Sequence, residues 1–176
     1  IELESARPTV VFVDDPANRV AQRRVRATIG DTTQKILLEK RLIDSGNMID
    51  TRSAMAMASR GTATDPMSIR EIGAAVGADV VVYALVSEFD RSPLTDPPRP
   101  TALLHVKIVD TATGDRIWPP QSAGFPLRLT MPADASIASR ERTDILDMEE
   151  SLAAYAGAGL AQLFYDVELP FSLRTP

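Results

Sequence analysis

Ser68-Ile-Arg-Glu-Ile-Gly-Ala-Ala-Val-Gly77, followed by Ala78-Asp-Val80-Val-Val-Tyr-Ala-Leu-Val86, decides the fold. Ser68 stands three residues before Glu71, the spacing of a capping box, with Met67 and Ile72 placed to staple the helix start. Gly77 falls where a left-handed residue ends a helix. This predicts a two-turn helix over Ile69–Val76. The run from Val80 to Val86 has almost no polar break, which marks a strand buried on both faces. The two together describe a helix that lies on a sheet and feeds its centre.

Working toward the amino terminus, Thr9–Val13 is β-branched and aromatic and reads as another buried strand, ended by Asp14, Asp15 and Pro16. A long helix is expected within Val20–Leu42, firmest over Asp31–Arg41. Val25, Ile29, Thr32 and Ile36 fall along its apolar face, and Gly30 weakens its middle. Ser45-Gly46-Asn47 stops it. Met48–Asp50 is a short strand, and Thr51 or Ser53 caps a short helix over Ala54–Ser59.

Toward the carboxyl terminus, Val80–Phe89 is followed by a loop carrying Pro93, Pro97, Pro98 and Pro100. In Ala102–Asp110 the residues alternate. Leu104, Val106 and Ile108 face the core, and His105 and Lys107 face water. Thr111–Asp115 is a turn and Arg116–Trp118 the return strand of a hairpin. Phe125–Thr130 is a further strand. Asp144–Tyr165 is the closing helix, with Asp144, Asp147, Glu149 and Glu150 in its first turns, where the macrodipole favours them. The expected architecture is a single α/β (α+β) domain over residues 8–168, with one mixed sheet covered by helices and irregular tails at 1–7 and 169–176.

Composition narrows the function. The chain has 176 residues, 44% of them hydrophobic, which suits one globular domain. A net charge of −5 disfavours nucleic acid as a partner. There is no cysteine, hence no disulfide, thiolate zinc site or cysteine nucleophile, and one histidine, His105, cannot build a histidine-rich metal site. No apolar stretch reaches the length of a membrane span. The chain begins at Ile1 and is expected to be a trimmed or processed product, so a missing signal peptide carries no weight.

No catalytic constellation is recognisable, and no cofactor is expected. Asp14 and Asp15 after a buried strand have the placement of a magnesium-holding acidic pair. None of Lys35, Lys40 and Lys107 ends a strand as a phosphoacceptor domain would need. His105 sits on the wet side of its strand, the ordinary place for a surface histidine. Glu88, Asp110 and Asp115 could pair as hydrolytic carboxylates, but carboxylates flanking hairpins are common. The candidates for partner binding are the basic cluster Arg19, Arg23, Arg24 and Arg26, the proline-rich loop with Arg91 and Leu94, and Trp118, whose position beside Pro119 favours packing against the domain.

Three segments in order carry a resemblance: Leu42-Ile-Asp-Ser-Gly46 with Met48-Ile-Asp-Thr-Arg52, Ile69 to Tyr83, and Val106 to Trp118. The helix ending in Gly77-Ala78-Asp79 before a central strand, and the hairpin Asp110-x-x-Thr113-Gly114-x-x-x-Trp118, resemble the bacterial envelope proteins related to LpoB, CsgG and the amino-terminal domain of TolB. The resemblance implies a non-enzymatic protein-interaction domain on the periplasmic side of the cell envelope. It would be a lipoprotein activator or assembly factor for a complex of cell-wall synthesis or secretion, and a possible homo-oligomer is part of that expectation. Its partner would be another envelope protein. No membrane-inserting hairpins of the CsgG kind are visible, and lipid anchoring would need residues upstream of Ile1. The alternative reading is a cytosolic regulatory domain that binds a small ligand or phosphate.

Overall fold

The computed structural model describes residues 1–62, 64–91, 99–132 and 142–165, with the side chains of 142–145 excepted. Leu94, most of the proline-rich loop and the expected 169–176 tail lie outside the described residues. In chain order the elements are β1 (Thr9–Asp14), α1 (Arg23–Glu39), β2 (Met48–Ile49), α2 (Thr51–Ala58), α3 (Ile69–Val76), β3 (Val80–Asp90), β4 (Thr101–Asp110), β5 (Arg116–Trp118), β6 (Phe125–Thr130) and α4 (Arg142–Ala161). Short 3-10 turns occupy Ser45–Asn47 and Gln162–Phe164.

The six strands form one mixed sheet in the order β2-β1-β3-β4, with β5 and β6 both paired to β4. β1 is parallel to β2 and β3, and β4 is antiparallel to β3, β5 and β6. β5 meets β4 at Ile108–Val109 and β6 meets it at Thr101–Val106, so the two short strands act as one interrupted edge strand. β3 is therefore flanked on both sides, as its apolar run predicts.

Alternation along the strands sorts the core into two layers. Val11, Val13, Val82, Ala84, Leu104, Val106 and Ile108 pack under α1 and α4 with Ile29, Leu37, Leu152 and Leu160. Val10, Phe12, Val81 and Tyr83 pack under α2 and α3 with Ala54, Met55 and Ile72. The sheet is a middle layer between two pairs of helices, the solution that buries a strand apolar on both faces. The outward residues of β4, Leu103, His105 and Lys107, belong to neither layer and are half-buried.

The α3–β3 junction is built as its sequence requires. Ser68 Oγ accepts from Glu71 N at 3.2 Å and Ser68 N donates to Glu71 Oε2 at 2.8 Å, closing the capping box. Gly77 ends the helix at φ +76, and Ala78 N donates to Gly73 O at 2.9 Å. Asp79 N and Val80 N then both donate to Pro8 O, at 2.7 and 3.0 Å, which joins β3 to the start of β1.

The β4–β5 hairpin explains its own motif. Asp110 Oδ1 accepts from Thr113 N at 3.0 Å, Gly114 N donates to Asp110 O at 2.8 Å, and Gly114 takes φ +79. Arg7 Nη2 donates to Asp110 Oδ2 at 2.6 Å, tying the segment before β1 to the same turn.

Three local expectations are corrected. α1 starts at Arg23 and not near Val20, because Asp15 holds Arg19 N and Val20 N in a turn before the helix. Its buried face includes Thr33 and Gln34 in place of Thr32 and Ile36. Thr33 Oγ1 donates to Ile29 O and sits 3.0 Å from Gly157 O, while Gln34 Nε2 donates to Ile49 O and its Oε1 accepts from Thr51 N. Those partners come from α4, β2 and α2, so these polar residues are buried satisfied. α2 is capped by Asp50, whose Oδ1 accepts from Arg52 N at 2.8 Å, and Thr51 is its buried first residue.

The close approach of α1 and α4 depends on Gly157, where a Cβ would sit 2.4 Å from Ile29 O, a backbone atom with no rotamer to yield. Gly157→Val should destabilise the domain by about 2 kcal/mol in urea denaturation. Gly46→Ala, with nothing within 4 Å of the added carbon, should stay within about 0.5 kcal/mol of the parent. The hairpin gives a pH test. Accepting from the Thr113 amide, and then from Arg7, lowers the Asp110 pKa to about 2. A depressed carboxylate pKa adds stability that is present above the unfolded value of about 3.9 and is lost as pH falls toward 2. Asp110→Asn should flatten the dependence of stability on pH in that window, measured by acid-titrated denaturation.

Candidate functional site

Two regions collect the residues that sequence reasoning singled out. The first lies at the carboxyl end of β1. After β1 the chain turns through α1 to β2 on one side, and after β3 it turns to β4 on the other, so β1 and β3 flank a point where the strand order reverses. Open α/β sheets hold ligands in the crevice at such points. A cavity of about 180 Å³ opens there, lined by Phe12, Val13, Asp14, Asp15, Arg26, Met55, Ala58 and Ser59.

Its polar groups are positioned by their own strand and helix ends. Tyr83 of β3 donates to Asp14 Oδ2 at 2.8 Å. Burial first, then the adjacent Asp14 charge, holds the phenol well above its ordinary pKa, so Tyr83 stays a proton donor. Asp15 is 5% exposed and accepts from Arg19 N at 2.9 Å and Val20 N at 2.8 Å. Arg26, in the first turn of α1, lies 3.8 Å from Asp15 Oδ2, a loose ion pair, and its Nε is buried without a hydrogen-bond partner.

The basic cluster is divided by this arrangement. Arg26 turns inward to the cavity. Arg24 pairs with Glu150 of α4, and Arg91 pairs with the neighbouring Glu149 at 2.7 Å. Arg19 and Arg23 remain exposed. Of the carboxylates considered for hydrolysis, Asp110 and Asp115 share the β4–β5 turn, where Asp110 N donates to Asp115 O at 2.9 Å, and Glu88 stands apart from both. Asp110 pairs across β3 with Val80, Glu88 lies at the other end of that ladder facing Leu103, and Glu88 is held by Arg128 at 2.9 and 3.2 Å. His105 meets Ser87 at 2.6 Å between its Nδ1 and the hydroxyl, beside the bulge in β3 between Val86 and Glu88. No cluster of three or more metal-ligating side chains occurs among the described residues.

The second region is the free edge of the sheet. Trp118 is half-buried against the α1/α4 layer, and its ring meets that of Phe125 in a tilted contact with centroids 5.1 Å apart. Phe125 is 37% exposed and Ile117 51% exposed. Sequence reasoning named Trp118 and missed these two. Alternation in Arg116–Trp118 was the available signal, since it turns Ile117 away from the face that Trp118 enters.

The chain's sequence matches no known protein family and no curated protein. Among solved structures, the PelC dodecamer of Paraburkholderia phytofirmans is similar at 12% identity and a TM-score of 0.49, over 92% of this chain and 91% of that one. The lipoprotein GNA1162 of Neisseria meningitidis is similar at 14% identity and 0.44, over 81% and 92%. Escherichia coli LpoB is similar at 17% identity and 0.40, over 70% of this chain and 57% of LpoB. No described helix is long and apolar enough to cross a membrane.

Asp15→Ala removes the acceptor of two backbone amides and leaves the Arg26 guanidinium half-buried without a counter-charge. It should cost about 3 kcal/mol in chemical denaturation, against about 1 kcal/mol for Tyr83→Phe, which removes a single hydrogen bond.

Proposed function

We propose that this chain is a non-enzymatic protein-interaction domain of the bacterial cell envelope, which acts by docking the free edge of its sheet on another envelope protein. In this reading it serves as a lipoprotein activator or assembly factor on the periplasmic side. The observation that carries the proposal is the apolar content of the interrupted β5–β6 edge, where exposed Phe125 lies against half-buried Trp118 on one face and exposed Ile117 projects from the other. Single exposed apolar residues are ordinary on soluble proteins. An exposed aromatic side chain against a tryptophan, with an exposed aliphatic one on the adjoining residue, has the composition of an interface anchor, which tryptophan, tyrosine and arginine dominate.

The motifs behind the envelope resemblance support the same reading through their position. The Asp110-x-x-Thr113-Gly114-x-x-x-Trp118 hairpin ends at this edge, so the turn chemistry that shapes the hairpin also presents Ile117 and Trp118. Prolines at 119, 120 and 126 interrupt the edge, which limits open-ended strand pairing and favours side-chain docking.

A pull-down from bacterial envelope extract, read by mass spectrometry, tests the proposal. The wild-type chain should recover a specific envelope protein. Ile117→Asp with Phe125→Ser should weaken that complex by about thirtyfold or more, the effect of losing an anchor worth roughly 2 kcal/mol, with an unchanged far-UV circular dichroism spectrum. Recovery of no partner by the wild type, or equal recovery by the variant, overturns it.

A further inference from the structure

A larger cleft opens at the end of α4. Its volume is about 770 Å³, and it is walled by the Gln162–Phe164 turn, the residues that follow α1 and the amino-terminal segment. Its floor is apolar. Leu3, Leu42 and Leu163 line it, each half-buried against the α1/α4 core layer. The amino-terminal wall is fixed although it carries no helix or strand: Ser5 O accepts from Asp44 N at 3.0 Å and from Asn47 Nδ2 at 3.2 Å. Charges of both signs stand on the rim. Arg41 is exposed and pairs with no carboxylate among the described residues, and Glu2 and Glu4 are exposed on the amino-terminal wall.

We infer that this cleft is the docking site of the chain's own segment Val167–Leu173, which lies outside the described residues. The described structure ends at Tyr165, which itself lines the cleft, so the residues that follow start at its rim. Their sequence alternates. Val167, Leu169, Phe171 and Leu173 are apolar, and Glu168, Pro170 and Ser172 separate them. An extended segment with that pattern puts four apolar side chains on one side, which matches an apolar floor. Docking through side chains needs no ladder of backbone hydrogen bonds, so Pro170 is compatible with it. The charges match as well. Lys40 Nζ lies 5.1 Å from the centre of the Tyr165 ring, which sets the adjoining Arg41 near the start of the segment, where Glu168 follows. Arg174 stands at the other end, available to Glu2 and Glu4. A tethered occupant also outcompetes a free one, since a short linker supplies an effective concentration in the millimolar range.

The absence of cysteine gives a clean test, because Ser172→Cys then carries a single nitroxide label. Ser172 falls on the polar side of the alternation, so the label leaves the four apolar residues unchanged. In methyl-resolved NMR of the full chain, Leu3, Leu42 and Leu163 should lose most of their signal intensity. Met55 and Ile72, in the core layer on the opposite face of the sheet, should keep theirs. Adding Leu169→Asp with Phe171→Asp alters only the segment and should restore the three leucine signals. No selective loss at these leucines overturns the inference, and so does a loss that persists in the aspartate variant. Loss of the same signals in isotope-enriched, unlabelled chain mixed with labelled chain places the segment of a second copy in the cleft and overturns it too. None of these readouts involves Ile117, Trp118 or Phe125, so this inference and the proposed docking role of the sheet edge fail separately.

Discussion

The structure depends on burying both faces of β3. Val80, Val81, Val82, Tyr83, Ala84 and Val86 are all buried, and consecutive residues point to opposite sides. Each valine removed from water contributes on the order of 1.5 kcal/mol, so the strand's gross contribution is comparable to the whole net stability of a typical domain. One layer of helices could protect only half of it. α1 with α4 on one face and α2 with α3 on the other follow from that requirement. So does the entry turn, because Gly77 must reverse the chain from α3 into β3 within two residues, and its positive φ makes this possible without strain on a side chain.

Local signals made much of this architecture legible. The capping box and terminal glycine placed α3 over Ile69–Val76, the bounds observed, because every interaction that sets them lies within ten residues. The alternation of β4 separated Leu104, Val106 and Ile108 from His105 and Lys107 for the same reason. What sequence periodicity missed was set at a distance. Thr33 and Gln34 are buried because carbonyls and an amide of α4, β2 and α2 come to meet them, and an apolar-face rule discards such residues. The union of β5 and β6 into one broken edge was equally hidden, since it is defined by their shared neighbour β4.

The candidate sites were legible in part, for related reasons. The arginine cluster reads as one patch in sequence, yet helical geometry turns Arg24 toward Glu150 and Arg26 toward Asp15. Two of the four thus tie α1 to its neighbours. Exposed ion pairs such as Arg24–Glu150 add little stability, typically below about 1 kcal/mol, so this link orients more than it holds. Asp14 and Asp15 were visible as a polar strand end. That Tyr83 would cover one and two backbone amides the other could not be read without knowing that β3 lies beside β1.

The two candidate regions are set apart by the sheet itself. From β1, which carries Asp14 and Asp15, to β6, which carries Phe125, the path crosses β3 and β4, three strand spacings or roughly 14 Å. No described helix carries residues of both sites: the cavity is walled by α1 and α2, while the edge packs toward α4. β3 is the shared element: its Tyr83 holds Asp14 at the cavity, and it backs the strand that holds the edge. Its first half is buried on both faces, and close-packed interiors of this kind shift between discrete arrangements instead of flexing smoothly. The geometry therefore keeps the cavity at the end of β1 and the β5–β6 edge as separate regions on one rigid sheet.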